Sequence, residues 1–134
     1  MHAIYAAFFD LEDKVIVKVG RSAMPYRRIV EVASGCPFEI SAAAFCHVGS
    51  LSKAQSIESY LQHDLAPYRT RGEWFMFPAK EGSIFSRAMI SAHGKATGKP
   101  LKWAVVDTDA IQQEMLSAFK AWHGGRGTKL SRAS

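Results

Sequence analysis

Ile4-Tyr5-Ala6-Ala7-Phe8-Phe9 and Val15-Ile16-Val17-Lys18-Val19-Gly20 are two short runs rich in β-branched and aromatic residues, joined by the polar loop Asp10-Leu11-Glu12-Asp13-Lys14. Such a pair predicts a β-hairpin. Pro25 then suits the first turn of a helix, with Tyr26, Ile29, Val30 and Ala33 on one face and Gly35 and Pro37 to stop it. Glu39 to Val48 reads as a third strand. Ser52-x-x-Gln55 is a capping-box start for a helix that runs to about Leu65, before Pro67. After the turn at Arg71-Gly72, Glu73-Trp74-Phe75-Met76-Phe77 reads as a further short strand stopped by Pro78. The order is ββαβαβ over residues 1–80.

Outward from this block the pattern thins. A helix is predicted from about Ser83 to His93, then a polar Gly/Pro linker from Gly94 to Pro100. A second helix follows from near Asp109 to Trp122, with Ile111, Met115, Ala118, Phe119 and Trp122 on one face. That face is either a dimer surface or one that folds back on residues 1–80. Residues 124–134 have no core-forming pattern and read as a disordered basic tail. The expected division is therefore a domain at 1–80, a helical extension at 81–123 and the tail at 124–134.

Composition narrows the class. At 48% hydrophobic and 22% charged, 134 residues make one globular domain and exclude wholesale disorder. The apolar run Ala3 to Phe9 is too short to span a bilayer and lacks the flanks of a signal peptide, so a cytoplasmic protein with no membrane partner is expected. Cys36 and Cys46 have no CxxC spacing and read as small buried hydrophobes. The net charge of +5 is uneven: residues 1–80 carry nine basic and eight acidic groups, residues 81–134 eight and four. This asymmetry points to a polyanionic partner, usually nucleic acid.

Three charged positions sit awkwardly in these elements. Lys18 interrupts a strand that otherwise reads as core; on a half-exposed strand its stem lies along apolar surface with the ammonium in water. Gly20, two residues on, lets the backbone turn where strand meets loop. On the Pro25 helix, Arg28 falls about 200° from Tyr26. Arg27 and Glu31 are spaced i, i+4, which leaves Arg28 either solvated or open to a phosphate. On the next helix Ala54, Ile57, Leu61 and Leu65 form the buried stripe, and Glu58 stands on its margin. There it is either an exposed helical glutamate or a carboxylate turned into a cleft to hold a metal. The five histidines show no zinc-site spacing, and no Walker loop, G-x-S-x-G or G-x-G-x-x-G occurs. Trp74, Phe75 and Phe77 read as core rather than as a base-stacking platform.

Ala3-Ile4-Tyr5 followed by Val17-Lys18-Val19-Gly20 resembles the paired motifs of the GIY-YIG nuclease superfamily, with Ala3 at the first glycine and Lys18 at the second tyrosine. Lys18-Val19-Gly20-Arg21-Ser22, Pro25-x-x-Arg28-Ile29, Glu58-x-x-Leu61 and Tyr68-Arg69-x-Arg71-Gly72-Glu73-Trp74-Phe75 are similar to its small phage- and bacterial-type branch. A lysine at the second tyrosine is usual in that branch. The resemblance covers about residues 2–78 and implies an α+β fold, a small three-stranded antiparallel sheet flanked by helices. It also implies roles. Tyr5 would be general base toward the attacking water or stabilise its charge, with Lys18 close by. Arg28 would be the catalytic arginine, and Glu58 the single glutamate that binds one divalent cation, Mg2+ or Mn2+. Two positions depart from the pattern: Gln62 stands where the branch often has histidine, with His63 next, and the chain contains no asparagine.

Phosphodiester hydrolysis needs an activated water, neutralised charge on the phosphate and a stabilised leaving oxygen. A tyrosine titrates near pH ~10 and needs an adjacent cation to act as a base at pH 7, which Lys18 could supply. Arg28 offers a planar fork matched to phosphate oxygens. Arg21, Arg69 and Arg71 in the domain, with Arg126, Lys129 and Arg132 in the tail, are the expected nucleic-acid contacts. The implied function is a metal-dependent DNA endonuclease. The alternative is a catalytically silent nuclease-like module that binds nucleic acid or a protein partner. Cutting both strands with one such site calls for a homodimer or two visits.

Overall fold

The computed structural model describes residues 2–125, except for the side chains of 118, 119 and 121–125. Strands β1 (Ala3–Asp10) and β2 (Lys14–Ser22) form the expected antiparallel hairpin, with Tyr5 opposite Gly20 and Ala7 opposite Lys18. Helix α1 (Pro25–Gly35) leads to β3 (Ala42–His47), which pairs with the other side of β1. Helix α2 (Leu51–Asp64) is followed by the short strands β4 (Arg69–Arg71) and β5 (Trp74–Pro78). Helix α3 (Ser83–Thr97), strand β6 (Ala104–Val106) and helix α4 (Thr108–Gly125) complete the described chain.

The sheet has six antiparallel strands in the order β4-β5-β2-β1-β3-β6, not the three that the resemblance implies. Both edge strands are three residues long, too short to show an alternating pattern. β6 also lies within 81–123, so that stretch is not purely helical.

Strand periodicity sorts the core into two layers. Ile4, Ala6, Val17, Val19, Phe75 and Phe77 face α2 and α3, where Ile57, Leu61, Phe85 and Met89 meet them. Tyr5, Ala7 and Phe9 face α1 and α4, packed with Ile29, Ala33 and Ile111. Being covered on both sides, β1 reads as a continuous apolar run rather than an alternation. Ile111 is buried and Met115 packs on this second layer, so the α4 face folds back on α1. Phe119 and Trp122 belong to the side chains not described. The expected basic tail begins inside the end of α4, and Arg126, Lys129 and Arg132 lie outside the described residues.

Two helix ends differ from expectation. Helix α2 is capped by Ser50, whose Oγ accepts from Lys53 N at 3.2 Å, and not by a capping box at Ser52. Helix α3 continues through Gly94 and stops at Gly98, whose φ of 69° and N–H to the Gly94 carbonyl close it. An interior glycine costs a helix about 1 kcal/mol. Burying Phe85, Met89 and Ala92 on the same helix outweighs that cost. Among the described residues no helix is long and apolar enough to cross a membrane.

Candidate active site

The site grows from the facing pair Tyr5 and Gly20. Tyr5 is 1% exposed, and the hydroxyl end of its ring abuts position 20: a Cβ there would stand 2.7 Å from Tyr5 Cζ. Gly20 therefore makes room for the ring; it sits inside β2 and its φ is not left-handed, so it does not serve as a turn. Gly20→Ala should cost about 1–3 kcal/mol of stability and displace the tyrosine. Thermal melting and near-UV circular dichroism read both effects, and an unchanged melting temperature would show that the ring has room to yield.

β2 outruns its neighbour. Lys18 opposite Trp74 is its last rung with β5, and beyond it only Val19 N reaches Glu73 O, at 3.1 Å. At this open end of the ladder, side chains from both sheet faces meet. Lys18 comes from the α1 face; its Nζ lies 3.0 Å from Glu73 Oε1 and 5.6 Å from the centre of the Trp74 ring. From the α2 face Arg21 donates to Glu58. Glu58 is buried, at 7% exposure, rather than on the margin of its helix.

The two glutamates are neighbours that line one small cleft. Burial, followed by the hydrogen bond to Glu73, pushes Glu58 up to about 7, against the opposing pull of Arg21. Glu73 is itself partly buried, which raises it, yet the hydrogen bonds from Glu58 and Lys18 hold it below the usual carboxylate range. Of the two, Glu58 is the carboxyl that takes up a proton more readily.

Arg28 comes from α1 with its guanidinium about half exposed. It is not unpaired: Glu31, i+3, lies 3.1 Å away and also meets Arg27 at 3.8 Å. The same guanidinium approaches the Tyr5 hydroxyl. Burial raises the Tyr5 pKa, and Arg28 pulls it partly back. The cation serving Tyr5 is thus Arg28, while Lys18 is committed to Glu73. The carboxylates of Glu73 and Glu58 lie near enough to raise Tyr5 further.

The structure therefore brings Tyr5, Lys18, Arg28 and Glu58 together at one end of the sheet, with Arg21 among them. Glu73 belongs to this group and was quoted in a motif without being assigned a role. Arg69 turns inward to its own hairpin, donating from Nε to the Gly72 carbonyl at 2.7 Å; Arg71 is exposed on β4 beside it. Gln62 shares the small cleft lined by Glu58 and Glu73.

The donor set fits a hard divalent cation. Two neighbouring carboxyl groups, one of them raised to about 7, would give up a proton to such an ion, and magnesium is commonly bound by one or two carboxylates with water and phosphate oxygens. Among the described residues no cluster of three or more His, Cys, Asp or Glu exists, so the pair itself would have to hold it. Flanked by Arg21, Arg28 and Lys18, the arrangement suits an anionic ligand with a cation beneath it.

The family model described as the T5orf172 domain matches residues 3–90, the stretch that holds all of these groups. No curated protein and no solved structure matches the chain.

Proposed function

Because the chain belongs to the T5orf172 domain family, a domain found in nuclease-like proteins of phage and bacteria, we propose that it is a metal-dependent endonuclease acting on DNA phosphodiester bonds. The observation that carries this reading is the carboxylate pair Glu58–Glu73 in one cleft, with Lys18 and Arg21 bonded to it and Tyr5 and Arg28 beside it. The likeness of the first two strands to the GIY-YIG motifs supports it. A bound Mg2+ or Mn2+ would supply neutralisation of the leaving oxygen. Glu58 and Glu73 would hold that ion, and Lys18 keeps Glu73 ionised and oriented. Tyr5, kept neutral by burial, donates its hydroxyl hydrogen to the attacking water, orienting it and steadying the charge that develops there, while the water's proton leaves to bulk solvent. Arg28 braces the phosphate with one edge while Glu31 anchors the other.

Arg28→Lys keeps the charge and loses the two-pronged geometry. Cleavage should fall about 10²-fold or more with DNA affinity nearly unchanged. A near-normal rate would return Arg28 to the role of a surface partner for Glu31.

The Arg21–Glu58 pair favours a second reading, a silent nuclease-like module, because an arginine already neutralises the carboxylate a metal would use. Plasmid DNA with magnesium or manganese separates the two. Nicking that is lost in EDTA supports the enzyme; clean protein that cuts no DNA under any divalent cation supports the silent module.

A further inference from the structure

Away from the carboxylate pair, a cleft of about 450 Å³ opens between the end of β3, the first turns of α2 and the segment after α3. His47, Lys53, His93, Thr97, Lys99 and Lys102 line it, and no carboxylate does. None of its three lysines makes an ion pair among the described residues. Three lysines on the lining of one concave surface with no carboxylate among the described lining residues suit an anion.

The floor of the cleft is built rather than incidental. His93 is buried, at 5% exposure, and its Nδ1 meets the Lys99 carbonyl at 3.2 Å and Thr97 Oγ1 at 3.3 Å. Thr97 Oγ1 in turn donates to the His93 carbonyl at 2.8 Å and accepts from Lys99 N at 3.1 Å. These bonds fix the ring and the turn that carries Lys99. They leave the Nε2 edge of a buried imidazole with no hydrogen-bond partner among the described residues.

Position supplies the rest. Ala3 is paired with Ser22 on one side and His47 on the other. At the usual strand spacing, the His47 end of the cleft lies roughly 10 Å from the end of β2 that carries Arg21. That span is short enough for one strand of nucleic acid to bridge. The volume exceeds what one phosphate needs and falls in the ordinary range for a small-molecule site. His93, Thr97, Lys99 and Lys102 all lie past residue 90, beyond the family match, in the half of the chain with the excess positive charge.

We propose that this cleft is a second phosphate site, which seats a nucleotide unit of the same strand a few nucleotides from the Glu58–Glu73 pair. It rests on the nuclease reading for the identity of the strand, though not for the chemistry of the cleft. Lys99 and Lys102 hold the phosphate, with Lys53 at the rim and the His93 ring edge beneath it.

The test removes equal charge in two places. Binding of a fluorescent DNA duplex in EDTA, followed by anisotropy over a range of salt, compares Lys99→Ala/Lys102→Ala with Lys80→Ala/Arg87→Ala. All four side chains are exposed, so both variants should fold. The cleft variant should bind about tenfold more weakly, with a salt slope flatter by up to roughly 2 units, against little change in the other. Equal losses in the two variants, or none in the first, overturn the cleft and leave the nuclease reading standing. Should the wild type bind no DNA, that reading fails, and a nucleoside monophosphate titrated against His93 and Thr97 resonances judges the cleft alone. Saturable shifts that vanish in the Lys99/Lys102 variant retain the phosphate site; no shifts remove it.

Discussion

Replacing Glu58 by glutamine should abolish cleavage, by about a thousandfold or more, while leaving the fold intact. Glutamine has the shape of a protonated glutamate. Its amide can donate to Glu73 as the Glu58 carboxyl does, and its oxygen can accept from Arg21. What it lacks is the charge a divalent cation needs, worth several kcal/mol in the transition state. Stability gives an independent reading of the same side chain. The folded protein holds a proton on Glu58 that the unfolded chain releases at the usual carboxylate pKa. Stability therefore falls as pH rises from that range through about 7. Glu73, held below its usual range, contributes in the opposite sense, at lower pH. In EDTA the variant should melt with the wild type at pH ~4 and increasingly above it as pH rises to 8. Full cleavage by Glu58→Gln would sink the metal assignment, and a variant that melts below wild type at pH 8 would mean that the Arg21 pair stabilises the charged form.

Tyr5→Phe should lower kcat by about 10²–10³, the usual range for loss of one hydrogen-bond donor at the reacting centre, with little change in KM. Only a hydroxyl is removed, and the ring keeps its place against Gly20. Steady-state kinetics and a thermal melt of one preparation decide the matter. Unfolding of the variant would show that the hydroxyl is a structural partner of Arg28 rather than a reacting group.

The hairpin, α1 and the residues that crowd the site were legible because they lie close together in the chain. Lys18 and Arg28 fall on the hairpin and the helix after it, where local pattern marks them, while Tyr5 was marked by the family resemblance and the role of Gly20 as space for its ring was misread as a turn. Glu73 was not legible in the same way. Its partners Lys18 and Glu58 are distant in sequence, and only closure of β5 onto β2 brings them together. The pairing of Arg28 with Glu31 was within reach, but it was hidden by giving Glu31 to Arg27 alone. The width of the sheet escaped because β4 and β6 carry no periodic signal. Gly94 looked like a stop because its own propensity says so, whereas burial along the rest of α3 decides otherwise. The cleft beside Lys99 depends on that longer helix and had no counterpart in the sequence reading.

The fit of Tyr5 against Gly20 bears on how related sequences are free to drift. The two residues face each other across one rung of the β1–β2 ladder and divide a single volume between them. A side chain can enter at position 20 only where position 5 has become small. The two positions should therefore co-vary, and the first and second strand motifs are one steric constraint recorded twice. A lineage that loses the tyrosine loses the pressure to keep the glycine, so a bulky residue at position 20 would mark a chain that has given up the hydroxyl as well.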